Sequence, residues 1–566
     1  MQQMQPNYIS WENTWIPHMQ LLAGCAYLLL LHLCSGEEVT TAEGKVRGTT
    51  LSTHAGRTIH AFLGIPYAKP PTGSLRFKPP QTPDHWDDVK DATKEGSRCP
   101  QLSYPERNYQ GSEDCLYLNV FTPRLPNETN EATSLLDVVV VLHGGGFTHG
   151  SGDVAMYGPD HLLDHDIIMV TANYRLGALG NYGLKDQVDV LRWVRRNIPR
   201  FLGNPNRVTL FGVQAGGASV HYHLLSGLSR KLFHRAVSQS GTALSPWAQV
   251  DADTARERAI KLGNEVGCTE PSKLINCLRK VPTRDLVQAS TKVQKRLTDF
   301  VYPFVPVTEE VVAKNQKALL PNTPVNLMKK PLPGFWEIPW LVGVTSHEGL
   351  PQSLQVMVFP DLLEGLDSDP IKNVLKYLNL DVQPEEKAEQ VAKKIWEFYF
   401  KNETITYGNL VKLAEMTSDY NYYHGLANSV KAMVEGSDVP IFVYHFSYNR
   451  HDLHISLGVP QGEDTLYIFP DIIEGGKFIV DEEHFHITEK LLRIISNFAR
   501  HGDPTPEPST ELGALEWPLA TAEDMEYVDI GNELTVKNEF YSERIAFWES
   551  IFNILAEGKT TPKDEL

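Results

Sequence analysis

The sequence predicts an α/β fold in which a large, mainly parallel sheet is flanked by helices, and three observations predict it. Short apolar runs recur along the chain, they are continuous rather than alternating, and glycine or polar residues follow their carboxyl ends. A continuous apolar run marks a strand buried on both faces, the condition of a parallel sheet covered by helices. Ligand sites in such sheets lie beyond the carboxyl ends of the strands, where the glycines stand here.

In order, the first run is DVVVVLHG (137–144), four valines closing on a histidine and glycines. DIIMVTANY (166–174) follows, apolar until it meets Asn173. RVTLFG (207–212) opens into VQAGGASVHYHLLS, a sharp turn and a helix. RAVSQSG (235–241) and WLVGVTS (340–346) are short and end in small polar residues, and IFVYHFSY (441–448) is the aromatic-rich last run. Helical or loop stretches separate them. No internal repeat or low-complexity linker divides the chain, and KKPLPGFWEIP (329–339) reads as a proline-rich connection. One domain over residues 37–562 is the simplest division.

The 566 residues are 42% hydrophobic and 22% charged, with a formal net charge of −18. That is enough apolar surface for a sizeable core, and the acidic balance repels nucleic acid on average. There is no basic run and no Cys/His cluster at zinc spacing, so neither a metal nor a cofactor is expected. Residues 19–33, MQLLAGCAYLLLLHL, run into Cys34, Ser35 and Gly36 and read as the core of a signal peptide over residues 1–36, with Met1 or Met19 as the start. The run is too short for a membrane span, for which roughly 20 apolar residues are needed. The last four residues, Lys563 to Leu566, spell KDEL, a retrieval address read by the KDEL receptor. The endoplasmic-reticulum lumen is therefore the expected compartment, with secretion as the alternative. Cys99, Cys115, Cys268 and Cys277 remain after cleavage, an even number suited to two disulfides in an oxidising lumen. Three pairings are possible, and proximity favours Cys99 with Cys115 and Cys268 with Cys277. The sequons at Asn127 and Asn402 fit the same compartment.

The turn at 212–216 has the form of a nucleophile elbow, Gly-x-Ser-x-Gly, but reads Gly212-Val213-Gln214-Ala215-Gly216. Upstream, His143-Gly144-Gly145-Gly146-Phe147 follows the first buried run, and a glycine series there suits an oxyanion hole. Further stretches point the same way: FLGIPYAKPPTGSLRFKPP (62–80), SEDCLYLNVFTP (112–123), NYRLGALG (173–180), NYGLKDQ (181–187), GNPNRVTLFG (203–212) and SQSGTALSPW (238–247). On these motifs, in this order, the chain resembles the type-B carboxylesterases of the cholinesterase-like α/β-hydrolase family over nearly its whole mature length. The Cys99–Cys115 loop carries no tryptophan, so the likeness is to general carboxylesterases rather than to choline-binding members.

The resemblance implies a triad of Ser, Glu and His. Glu348 in GVTSHEG holds the acid position, but Gln214 stands at the nucleophile and Gln461, in GVPQGEDTLYIF, at the histidine. A carboxamide is neither a useful base near neutral pH nor a nucleophile able to turn over an acyl intermediate. Loss of a serine-hydrolase triad costs on the order of 10⁶ in kcat. What should survive is the oxyanion hole of Gly144, Gly145 and the Ala215 N–H, and Gln461 is expected to donate its NH₂ to Glu348. A substitute nucleophile at Ser219, with His221 or His223, is disfavoured because the helix carries those side chains away from the turn. The loop that family members carry between GALG and NYGLKDQ is missing at Gly180. The expected function is a carboxylesterase-like protein without ester hydrolysis, its pocket binding apolar esters or lipids. The alternatives are an active hydrolase with an unorthodox site and a cholinesterase-like adhesion protein; KDEL and the lack of a second membrane segment count against the latter.

Overall fold

The computed structural model describes residues 36–557 apart from 104–105, 127–133, 294–301, 310–315, 330–336, 451–456, 470–481 and 523. The core of the expected signal peptide, the last four residues and Asn127 lie outside these residues.

Eleven strands form one sheet: β1 (Thr49–Ser52), β2 (Thr58–Pro66), β3 (Tyr117–Thr122), β4 (Leu136–Leu142), β5 (Ile167–Ala172), β6 (Gly203–Val213), β7 (Arg235–Gln239), β8 (Trp340–Thr345), β9 (Ile441–Phe446), β10 (Tyr527–Ile530) and β11 (Leu534–Lys537). Their spatial order is β1-β2-β3-β5-β4-β6-β7-β8-β9-β10-β11. From β5 to β10 every neighbouring pair is parallel; the pairs toward β1 and the last pair, β10 with β11, are antiparallel. The six apolar runs are β4 to β9, the middle of the sheet.

Burial explains the continuous runs. All seven residues of β4 are buried, and they alternate between two cores: Val138, Val140 and Leu142 face one side of the sheet, Val139 and Val141 the other. On the first side lie helix α1 (Gly183–Asn197), with Val188, Leu191 and Val194, and helix α2 (Ala215–Leu225). Every residue of α2 is buried, so its apolar character runs right round it. The second side is covered by helix α7 (Phe485–His501) through Ile487, Leu491, Ile495 and Phe498. Between them in sequence, α3 (Glu385–Phe400), α4 (Leu410–Ser418), α5 (His424–Gly436) and α6 (Glu463–Ile468) follow β8 and β9, and α8 (Ser542–Ala556) ends the described chain. Trp396 and Phe400 of α3, Leu413 of α4 and Trp548 of α8 share a third, all-helical core.

Both disulfides favoured by proximity are present, Cys99 with Cys115 and Cys268 with Cys277. Asn402 is exposed at φ +63°, just past the end of α3. Among the described residues no helix is long and apolar enough to cross a membrane.

Candidate active site and the carboxylesterase family

β6 runs to Val213 and α2 starts at Ala215, so the whole reversal falls on Gln214, at φ +52° and ψ −108°. A non-glycine residue held there costs of order 1–3 kcal/mol and persists only where its surroundings over-determine it. They do so here through close backbone approach. A Cβ on Gly212 would stand 2.1 Å from the Gly216 carbonyl oxygen, and one on Gly216 would stand 2.0 Å from the Leu142 carbonyl oxygen. The glycines that frame the turn are thus required by the contact of α2 with the ends of β6 and β4.

The Gln214 side chain folds back over its own turn. Its Oε1 accepts three backbone N–H groups, from Gly145 at 2.9 Å, Gly146 at 2.7 Å and Ala215 at 3.0 Å. Three converging amides are what a developing oxyanion requires, and the glutamine's own carbonyl oxygen fills their focus. The donor set differs from the one expected in sequence at one place. Gly144 does not take part, because its N–H donates to the Tyr157 hydroxyl at 3.1 Å; Gly146 completes the ring instead. Gly145 and Gly146 sit at φ +98° and +58°, the left-handed conformations that turn both amides inward. Three successive glycines are equally free to do this, so sequence had no means of choosing the pair.

The amide nitrogen of Gln214 donates to Tyr302 Oη at 3.2 Å. Tyr422 is the second phenol at this spot: burial holds it well above the usual tyrosine range, opposed by hydrogen bonds from the Gln461 and Gln214 amides. It projects from a five-residue π-helical stretch, Asp419–Tyr423, between α4 and α5. The sequence pattern points to neither Tyr302 nor Tyr422; for Tyr422, a single wide helical turn leaves no signature in residue pattern.

Glu348 follows β8 by three residues and is buried. Its Oε1 accepts the Ser240 hydroxyl at 2.6 Å and the Thr345 N–H at 2.7 Å, while its Oε2 accepts Gln461 Nε2 at 3.0 Å. Gln461 therefore gives the acid the donor that the sequence reading asked of it. Burial pushes the Glu348 carboxyl up to about 8, against the hydrogen bonds from Ser240, Thr345 and Gln461 and with help from nearby Asp464. The raised value favours the protonated carboxyl near neutral pH, beside the Gln461 amide.

Gln214 and Gln461 line one cavity of about 300 Å³, together with Gly144, Gly145, Tyr157 and Tyr302. Ser219 does not reach it. Its hydroxyl donates to the Ala215 carbonyl at 2.8 Å and accepts Gln187 Nε2 at 3.2 Å. Gln187 Oε1 in turn accepts His223 Nε2–H at 2.9 Å, which leaves His223 Nδ1 to accept from Ser229 Oγ at 2.6 Å. His221 lies against Trp340, with ring centroids 4.7 Å apart, and takes the Ala243 N–H on Nδ1. Burial pulls both imidazoles down to about 3, and they serve the core. Among the described residues no group of three His, Cys, Asp or Glu side chains could hold a metal ion.

The model of the carboxylesterase family matches residues 35–548. The chain is 32% identical to the juvenile hormone esterase of Tribolium castaneum over 555 residues, which cover 90% of this chain and 93% of that one. It is 32% identical to esterase FE4 of Myzus persicae over 520 residues, 86% and 88% of the two chains. Against the acetylcholinesterase of Electrophorus electricus it is again 32% identical, over 572 residues, 90% and 87% of the two. With an α/β-hydrolase sheet, an elbow between β6 and α2, and matches of this length, the chain belongs to the carboxylesterase family.

Proposed function

We propose that this member of the family does not hydrolyse esters and that its elbow cavity binds an apolar ester or lipid in the lumen of the endoplasmic reticulum. The observation that carries this reading is the Gln214 carbonyl oxygen inside the ring of Gly145, Gly146 and Ala215 N–H groups. A substrate carbonyl would have to displace three hydrogen bonds, each contributing net about 0.5–1.5 kcal/mol, before it met the stabilising groups. Having done so it would meet no hydroxyl nucleophile and no base at the triad positions, since both carry amides.

The lining of the cavity supports a neutral, apolar guest. Among the described residues, Arg107 and His149 are the only lining residues of the basic types, no Asp or Glu lines the cavity, and its remaining polar groups are amides, hydroxyls and backbone. Because the relatives are named as esterases, ester-shaped molecules are the first ligands to try. The leader, the two disulfides and the KDEL end support the compartment.

The test is the pure mature protein exposed to a fluorophosphonate and to a series of p-nitrophenyl esters. The expected result is no covalent label and no turnover above the blank, with saturable protection of the fold by a non-hydrolysed ester. Labelling within the cavity, or turnover abolished by Ser219→Ala, overturns the reading. For the compartment, deletion of residues 563–566 should send the protein into the medium, and unchanged retention would show that KDEL is not the operative address.

A further inference from the structure

A second cavity, of about 380 Å³, opens beside the elbow cavity, and Gly177, Ala178, Pro303 and Phe304 line both. It occupies the place where the chain runs directly from GALG into NYGLKDQ, and Gly177, Gly180 and Gly183 form part of its wall. A Cβ on Gly177 would meet no atom of the described residues within 4 Å. The rest of the wall is mainly apolar: Phe77, Phe147, Leu262, Phe304 and Leu319, with Ala255 and Ala259 facing inward one turn apart on the helix Ala252–Glu265. Small residues at those two positions are what leave the cavity room.

The charged groups of the wall are not equivalent. Arg175 is held by Asp186 through two hydrogen bonds of 2.8 and 2.6 Å, and Lys185 by Glu309 at 2.5 Å. Arg256 alone has no hydrogen-bond or ion-pair partner among the described residues, and it stands exposed at the rim, near the 42% exposed Ile275. An apolar interior with one cation at its mouth that no described residue pairs is complementary to a chain with one anionic end. We propose that this cavity is a binding site for a long-chain fatty carboxylate, the hydrocarbon running in past Ala259 and Leu262 and the carboxylate meeting Arg256. The proposal does not depend on whether the elbow cavity turns over esters.

The probe is palmitate, titrated into the intact mature protein by calorimetry alongside shorter saturated acids and hexadecanol. Affinity should rise by up to about fourfold per added methylene until the cavity is full, from about 0.8 kcal/mol per buried CH₂. Hexadecanol should bind at least tenfold more weakly than palmitate. Ala259→Phe, which fills the cavity, and Arg256→Glu, which reverses the charge at the mouth, should each weaken palmitate tenfold or more. Ser290→Trp, which narrows only the elbow cavity, should leave it unchanged. Arg256 is exposed, so its variant folds even where Ala259→Phe does not, and the test stands on it alone. Absence of saturable palmitate binding overturns the proposal, as does binding indifferent to Arg256→Glu, or binding lost on Ser290→Trp and kept in Ala259→Phe. None of these outcomes bears on the fluorophosphonate experiment.

Discussion

If the two glutamines are the only broken parts of a retained hydrolase site, Gln214→Ser with Gln461→His should restore ester hydrolysis. The first change removes the oxygen that fills the ring of N–H groups and leaves Gly145, Gly146 and Ala215 free to accept a substrate carbonyl. One such donor is worth roughly 10²–10³ in kcat in a working enzyme. The second change places an imidazole where Gln461 Nε2 now donates to Glu348 at 3.0 Å, so the new ring finds its acid already in place. A positioned general base contributes typically 10²–10⁴. Triad members act as a unit, so each single variant should stay near background and the double variant should exceed both by about 10² or more. An imidazolium forming beside Glu348 also favours the carboxylate, drawing its pKa down from about 8. The assay is p-nitrophenyl butyrate turnover with active-site titration by a fluorophosphonate, on protein shown to be folded by its thermal transition. A folded double variant with no gain would refute the premise that the site is otherwise intact and would point to Tyr302 and Tyr422 as the obstruction. Activity that survives Glu348→Gln in the double variant would refute the assignment of the acid.

Three further outcomes are expected. Glu348 has a folded pKa of about 8 against an ordinary 4.5 in the unfolded chain, so its contribution to stability is fully present below about pH 4.5 and is lost as pH rises through 8. Urea unfolding should show up to a few kcal/mol of stability lost across that window, and Glu348→Gln should flatten the profile; an unchanged slope would reject the raised acid. Gln461→Leu strips Glu348 Oε2 of its donor and should destabilise the protein by about 1–3 kcal/mol, lowering Tm, whereas Gln461→His should not. Gly216→Ala drives a methyl to 2.0 Å from the Leu142 carbonyl and should abolish soluble expression, while Gly513→Ala, at φ +66° with nothing within 4 Å, should cost only about 1 kcal/mol.

The middle of the sheet was legible because β4, β5, β8 and β9 are buried along their whole length and so read as mainly apolar runs. The flanking strands were not. β1 alternates half-buried with exposed residues and β11 is exposed or half-buried throughout, so neither carries an apolar run to find. The true start of β6 at Gly203 was hidden for a related reason, since GNPNR is polar and its pairing to β4 shifts register between Gly203 and Val208. At the site, Gln214 was legible as the centre of an elbow-shaped turn, while Glu348 and Gln461 were picked out only through the motifs of the resembling family, and the structure brings Gln461 against Glu348. Spacing failed where choice depends on dihedral angle or on distant segments: Gly146 over Gly144, Ser240 as a partner of Glu348, Tyr302 and Tyr422 as partners of the amides.

The two glutamines are physically consistent with each other as well as with the fold. An elbow built for catalysis has three backbone donors with no permanent acceptor and a buried acid that needs one donor beside it. A carboxamide carries both an acceptor oxygen and two N–H donors, so one residue type answers both needs. At position 214 the oxygen turns inward to Gly145, Gly146 and Ala215; at position 461 the nitrogen turns inward to Glu348. Replacing only the nucleophile would leave an imidazole beside a carboxyl that burial already holds largely neutral, and the ion pair they would form faces the desolvation cost of the buried site. Replacing only the histidine would leave the three donors waiting for a substrate carbonyl that the site could no longer process. With amides at both positions, the three inward N–H groups have an acceptor and Glu348 has a donor, so these polar demands of the site are met from within.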